Sequence, residues 1–232
     1  MDIENSELPQ WSDLTAMTDW VSTHLYTAVI SDALDSLGFR YQSLAPDLRP
    51  LDETLVLAGF AKTSLWAPVD PEAEPKPNPY ENEIRYLDSG RPGDVFVMSV
   101  SRHPEIVPWG ELLSTACIAR GARGLVCDGL VRDSRKIREM RLPVFCTGRR
   151  PLDSAGRGEV VAFDVEIEID SVRIHPGDFI VADADGVVVI PSEKTMEVLK
   201  KAWLKVAGEN RTRSELQKGR LLSEVFDEYG IL

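Results

Sequence analysis

The chain has 232 residues, 43% of them hydrophobic, and a formal net charge of −12 from 38 Asp and Glu against 26 Lys and Arg. That length and apolar content suffice for one well-packed domain, and the acidic excess argues against a nucleic-acid surface. Three cysteines without zinc-like spacing read as free thiols in a reducing compartment. The first ten residues lack a signal peptide's basic and apolar regions, and no apolar run reaches membrane-spanning length. Together these predict a cytoplasmic protein that engages neither membrane nor nucleic acid.

In chain order, residues 11–24 predict a helix with Leu14, Met17, Val21 and Leu25 on one stripe. A second helix follows, with Thr27 as N-cap, Val29, Ile30, Ala33, Leu34 and Leu37 as its apolar face, and Gly38 as its stop. Residues 55–63 read as a strand. Residues 67–80 are rich in Pro and acid and predict an extended loop, either a lid or a plain surface segment. A short helix over 81–87 precedes an Arg-Pro-Gly-Asp turn and a strand over 95–100; His103 follows as a candidate proton shuttle.

The chemistry concentrates in residues 109–148. Residues 110–120 have helical apolar spacing and end at Gly121. Residues 124–127 form a short buried strand closed by Asp128-Gly129. Arg132 and Asp133 come next, at a strand's end, where ligands bind in open α/β sheets; a helix over 134–141 and a strand over 142–146 complete the stretch. An Arg fork grips a carboxylate, an Asp holds a hydrated divalent cation, and the first amides of a helix attract anions. Arg132, Asp133 and the amides of Gly110, Glu111, Leu112 and Leu113 could therefore hold a 2-oxo acid. The plainer alternative also stands: an ordinary turn at Asp128-Gly129 followed by a solvated pair at a helix start.

Beyond this stretch, residues 160–164, 165–169 and 172–174 read as short strands, and a second Pro-Gly-Asp turn feeds a strand over 179–182. Asp185-Gly186 is a turn before a buried strand, and Ser192 caps a helix running to about Gly208. Residues 1–208 thus form one α/β domain, a central sheet flanked by helices. Residues 209–232 add a helical tail whose stripe of Leu216, Leu221, Leu222, Val225, Phe226 and Tyr229 suits a subunit interface.

The pattern Gly121, Gly124, Val126, Asp128-Gly129 and Arg132-Asp133, preceded by Gly110-Glu111-Leu112-Leu113, resembles the class II 4-hydroxy-4-methyl-2-oxoglutarate aldolases. That family, usually called RraA-like, also holds oxaloacetate decarboxylases and regulators of ribonuclease E activity. Ser31-Asp32-Ala33-Leu34 with Gly38, and the Gly-x-Ala-x-Thr at Gly59, extend the resemblance over residues 26–208. It implies a swivelling α-β-β-α fold of the phosphohistidine-domain kind and a homotrimer or homohexamer with interfacial sites. It also implies Mg²⁺ or Mn²⁺ at Asp133 and a 2-oxo acid carboxylate held by Arg132 and the amides of residues 110–113. Family enzymes carry an acidic residue, more often Asp, separated from the Arg-Asp pair by twenty residues, and Glu111 has that spacing here. It would orient a water for proton transfer.

The resemblance further implies a C-terminal glutamate that completes a neighbour's metal shell, by position Glu209, with Glu215 the weaker candidate. The reaction implied is metal-dependent cleavage of a 4-hydroxy-2-oxo acid to pyruvate, with oxaloacetate decarboxylation through the same enolate. One alternative is a non-catalytic regulator that binds a ribonuclease or another protein; another is a lyase acting on a larger sugar acid, with residues 67–80 shaping its distal pocket. Regulators of the family have lost the acidic residue of the pair, whereas this chain keeps Asp133.

Overall fold

The computed structural model describes residues 7–231 except 73 and 75. The reading of the first residues as lacking a leader falls largely on residues 1–6, outside this range. Helices α1 (Leu14–His24) and α2 (Thr27–Ser36) open the fold, followed by β1 (Arg49–Pro50), β2 (Leu57–Pro68), α3 (Glu81–Asp88) and β3 (Asp94–Ser99). The central stretch forms α4 (Glu111–Ala119), β4 (Gly124–Cys127), β5 (Leu130–Val131), α5 (Ser134–Glu139) and β6 (Val144–Cys146). Then come β7 (Gly148–Arg149), β8 (Gly158–Phe163), β9 (Ile167–Ile169), β10 (Val172–Ile174), β11 (Phe179–Asp183) and β12 (Gly186–Ile190). A 3-10 turn at Ser192–Lys194 leads into α6 (Thr195–Gln217) and α7 (Leu222–Tyr229).

The main sheet runs β1-β6-β4-β3-β2-β11-β12, with β8 also on β2. Pairs β2/β3, β3/β4 and β4/β6 are parallel, and the flanking pairs are antiparallel. Strand β2 is the spine. Its first residues pair with β11, its middle with β3, and its end with β8 across an irregularity at Leu65/Trp66. It therefore extends five residues beyond the strand expected at 55–63, into the segment expected to be loop.

Alternation sorts its residues onto two covered faces. Phe96, Met98, Leu125 and Cys127 join Tyr86, Trp109, Cys117 and Ile137 in one core under α3, α4 and α5. Val95, Val97, Val126, Ile180 and Val189 face the β9–β10 hairpin residues Ile167, Ile169, Val172 and Ile174. A third cluster packs α1, α2 and α6 on Phe179, Val181, Val188 and Ile190. Of the stripe expected on α1, Met17, Val21 and Leu25 are buried, while Leu14 is exposed.

Two helix ends differ from expectation for tertiary reasons. Thr27 lies inside α2, and Tyr26 occupies the cap without a side-chain bond. The buried Asp183 supplies the cap from across the fold, accepting from Thr27 N at 2.8 Å and Thr27 Oγ1 at 2.7 Å. Asp183 also accepts from Asp185 N at 2.9 Å, which fixes the β11–β12 turn. At the other end, α6 does not stop at Gly208, and the domain-tail boundary expected there falls inside one continuous helix. Gly208 serves packing instead, because a Cβ there would collide with the Ile231 side chain. Nor does Ser192 cap α6 with its side chain; it begins the 3-10 turn.

Asp183→Ala should cost about 2 kcal/mol, since it strips the acceptor from two buried donors of Thr27 and from the part-buried Asp185 N–H. Urea unfolding reads this directly, and a loss under about 0.5 kcal/mol would contradict the long-range cap.

Candidate functional site

A cavity of about 440 Å³ opens where the end of β5 meets the N-terminus of α4. Its lining includes Gly110, Glu111, Leu112, Leu113, Arg132 and Asp133, so the structure gathers these expected site residues in one place. A parallel bridge between Trp109 and Val131, with Arg132 N–H donating to the Trp109 carbonyl at 2.9 Å, joins the two segments. The buried Trp109 indole donates to Ser114 Oγ at 2.8 Å, and that hydroxyl donates to the Gly110 carbonyl at 2.9 Å. The first turn of α4 is thereby held rigidly beside Arg132.

Asp133 is left-handed, with φ 54° and ψ 27°, a region that Asp tolerates better than most residues. Its carboxylate turns back onto α4, and Oδ2 accepts Glu111 N–H at 3.1 Å. Gly110 makes this approach feasible: a Cβ would stand 2.8 Å from Asp133 Oδ2 and 3.1 Å from Arg132 Cγ. One amide expected to hold substrate is therefore engaged by Asp133. The Leu112 and Leu113 amides, which have no acceptor within the helix, remain for an anion. Arg132 extends Nη1 to the Leu152 carbonyl at 3.3 Å and to Asp153 Oδ1 at 3.5 Å, and its Nε lies 3.8 Å from Asp133 Oδ2. Glu111 lies within 3.4 Å of Thr115 Oγ1 and 4.0 Å of Lys136 Nζ.

The opposite wall, which sequence reasoning did not single out, consists of Tyr80, Glu83, Asp153 and Ser154. Tyr80 OH donates to Asp153 Oδ2 at 2.6 Å, and Ser154 Oγ donates to Glu83 Oε2 at 3.4 Å. Burial pushes the Asp153 carboxyl up, but the Tyr80 hydroxyl and Arg132 outweigh it and hold the group below its usual range. Glu83 is pushed up to about 7, chiefly by burial, with the Ser154 hydrogen bond opposing, Asp153 adding to the rise and Arg132 opposing it. The faint sequence signal was Glu83 on the same face of a short helix as the buried Tyr86 and Leu87.

Among the described residues, no group of three or more His, Cys, Asp or Glu side chains is gathered for a metal. The donors present, Asp133 with Glu111 nearby, fit a hard cation that keeps most of its waters. Apart from Glu83, the cavity's three carboxyl groups against one guanidinium favour added positive charge. Glu209 lies elsewhere: it accepts from the Tyr26 hydroxyl and lies 3.9 Å from both Lys205 and Arg213. Glu215 pairs with Lys218 at 2.6 Å and Arg220 at 3.3 Å. His103 is not in the lining; its Nδ1 accepts Glu105 N–H at 3.3 Å.

The three cysteines are buried free thiols, and burial pushes Cys117 up to about 12 and Cys146 to about 11, which removes them as nucleophiles. A larger hollow of about 710 Å³ beside Tyr41 and His175 offers less chemistry. Its Asp178 is committed to the backbone amides of His175 and Ser192 at 2.7 and 2.9 Å.

The family profile described as RraA-like (Aldolase/RraA) matches residues 27–189. A relative named "Putative 4-hydroxy-4-methyl-2-oxoglutarate aldolase" from Halalkalibacterium halodurans is 34% identical over 181 residues, covering 78% of this chain and 80% of its own. Protein DlpA of Legionella pneumophila is 31% identical over 88% of this chain. The match spans only 32% of that protein, so this chain corresponds to about a third of its length. The crystal structure of Streptomyces coelicolor RraAS2, described as an unusual member of the RNase ES inhibitor RraA family, superposes with a TM-score of 0.70. It is 27% identical and covers 88% of this chain and 97% of its own. Among the described residues, no helix is long and apolar enough to cross a membrane.

Glu83 sets a pH dependence of stability. Its carboxyl is raised in the folded state from 4.5 to about 7, so its contribution is complete below about pH 4.5 and is lost as pH rises through about 7. Glu83→Gln should match the parent's melting temperature near pH 5 and exceed it at about pH 8. A difference that stays constant between those pH values would refute the buried, protonated assignment.

Proposed function

The chain belongs to the RraA-like family, and on that footing we propose that it is a divalent-metal-dependent carbon–carbon lyase. It cleaves a 4-hydroxy-2-oxo acid, such as 4-hydroxy-4-methyl-2-oxoglutarate, to pyruvate and decarboxylates oxaloacetate through the same enolate. The observation that carries this reading is the convergence of Arg132, Asp133 and the first turn of α4 on one cavity.

Arg132 binds the substrate carboxylate with its planar fork, helped by the Leu112 and Leu113 amides. Leu152 and Asp153 hold the guanidinium in place for this. A divalent cation, Mg²⁺ or Mn²⁺, supplies Lewis-acid stabilisation of enolate charge when bound, and Asp133 with Glu111 would hold it. As the C3–C4 bond breaks, Glu111 takes the C4 hydroxyl proton through a water and returns it to C3 of the enolate. Decarboxylation releases CO2 from the same carbon and needs only the second transfer. The half-buried walls limit water around the developing charge.

A homotrimer or homohexamer is part of this proposal, supported by the exposed Leu221, Leu222 and Phe226 beside and on α7. Glu209 would then serve a neighbouring site. The name of the Streptomyces structure favours a second reading, a non-catalytic inhibitor of a ribonuclease. The retained Asp133 weighs for the enzyme.

Pyruvate release from 4-hydroxy-4-methyl-2-oxoglutarate and oxaloacetate, with Mg²⁺ and with EDTA, tests the proposal. Release should require the metal and vanish in Asp133→Ala; activity that survives EDTA or that substitution would refute it. Arg132→Lys keeps the charge but loses the fork, and its rate should fall about 10²-fold or more. A near-parental rate would place the carboxylate elsewhere.

A further inference from the structure

On the reading above, the pyruvoyl end would occupy only the part of the cavity beside Arg132 and the first turn of α4. At about 440 Å³ the space falls within the size range of sites for much larger small molecules than a three-carbon oxo acid. The rest of the lining therefore meets the substrate's distal part. It presents the carboxyl groups of Glu83 and Asp153, the hydroxyls of Tyr80 and Ser154, and apolar surface from Ile84 and Val107.

Charge on this wall is one-sided. Arg132 is the one cation among the described lining residues, and binding the first carboxylate uses it. Lys136 lies outside the lining, 4.0 Å from Glu111. A second carboxylate on the substrate would face Asp153, whose carboxyl is held ionised by Tyr80 and Arg132 against the pull of burial, with no further basic side chain among the described lining residues to receive it. Tyr80 already donates its proton to Asp153, and the Ser154 hydroxyl lies 3.4 Å from Glu83, so the wall's hydroxyls are turned inward as donors. What the wall lacks is donors from the ligand, and sugar-like hydroxyls supply them.

We propose that this wall selects 4-hydroxy-2-oxo acids with an uncharged, hydroxylated distal end, the 2-oxo-3-deoxyaldonic acid class, over those ending in a carboxylate. The inference rests on the pyruvate-lyase reading above and specifies its substrate. The cleavage balances without any co-reactant. The C3–C4 bond breaks, its electron pair passes into the pyruvate enolate, and the C4 hydroxyl loses its proton to become a hydroxyaldehyde. A proton then returns to C3 to give pyruvate. Asp153 accepts hydrogen bonds from the tail hydroxyls throughout, and Tyr80, at the end of the Pro-rich segment, fixes Asp153 in position.

The test compares pyruvate release by the full chain with Mg²⁺ from a 2-oxo-3-deoxyaldonate and from 4-hydroxy-4-methyl-2-oxoglutarate. The neutral-tailed acid should have the higher kcat/KM, by about tenfold or more, because unpaired or repelled polar groups discriminate strongly. Asp153→Asn should narrow the gap, mainly through KM of the dicarboxylate, and Asp153→Ser provides the same reading should the first variant fold poorly. A dicarboxylate cleaved equally well or better overturns the inference while leaving the lyase reading intact. A parental preference unchanged in both variants overturns the assignment to this wall. No pyruvate from either acid overturns both.

Discussion

The candidate site depends on one short stitch: the Arg132 amide bonded to the Trp109 carbonyl, with the Asp133 carboxylate folded onto Glu111 N–H. Without it, a helix start and a strand end twenty residues apart would have no fixed relation. With it, a guanidinium, a carboxylate and first-turn amides share one face. The stitch demands two unusual local choices. Gly110 must lack a Cβ, and Asp133 must accept a left-handed backbone. Local cost of this kind is tolerated where surrounding packing over-determines it, as the buried Trp109 and Val131 do here.

The stitch also gives Asp133 two tasks in different states. In the structure it caps α4, a helix whose own N-cap glycine has no side chain. In the proposed reaction it would also hold a divalent cation. A carboxylate at a helix N-terminus is favoured by the helix dipole, and that interaction keeps the group in place for the ion. Arg132 is similarly steadied by Leu152 and Asp153 of the segment between β7 and β8.

Much of this was legible in the sequence because the central stretch alternates cleanly between helical and strand periods. Its helix, buried strand, charged pair, second helix and next strand appear in the expected order. Residues whose roles are set across the chain were not legible. Thr27 looked like a cap because Thr often is one, but Asp183 does the capping from 156 residues away. Gly208 looked like a stop, and packing with Ile231 overrides that local signal. The far wall of the cavity joins Tyr80 to Asp153 and Glu83 to Ser154 across more than seventy residues, where no local period or motif could pair them. Family resemblance concentrated on the shared pyruvoyl end, so the wall that would set specificity stood outside it.

The central claim is that Arg132 and Asp133 make this cavity a site for pyruvate enolate formation, whatever the natural tail. Proton exchange at the pyruvate methyl group in D2O, followed by NMR, tests this without a choice of distal substrate. Protein-dependent deuterium incorporation is expected with Mg²⁺ and should stop with EDTA. Pyruvate that binds to the Mg²⁺-loaded protein yet exchanges no faster than in buffer would contradict it.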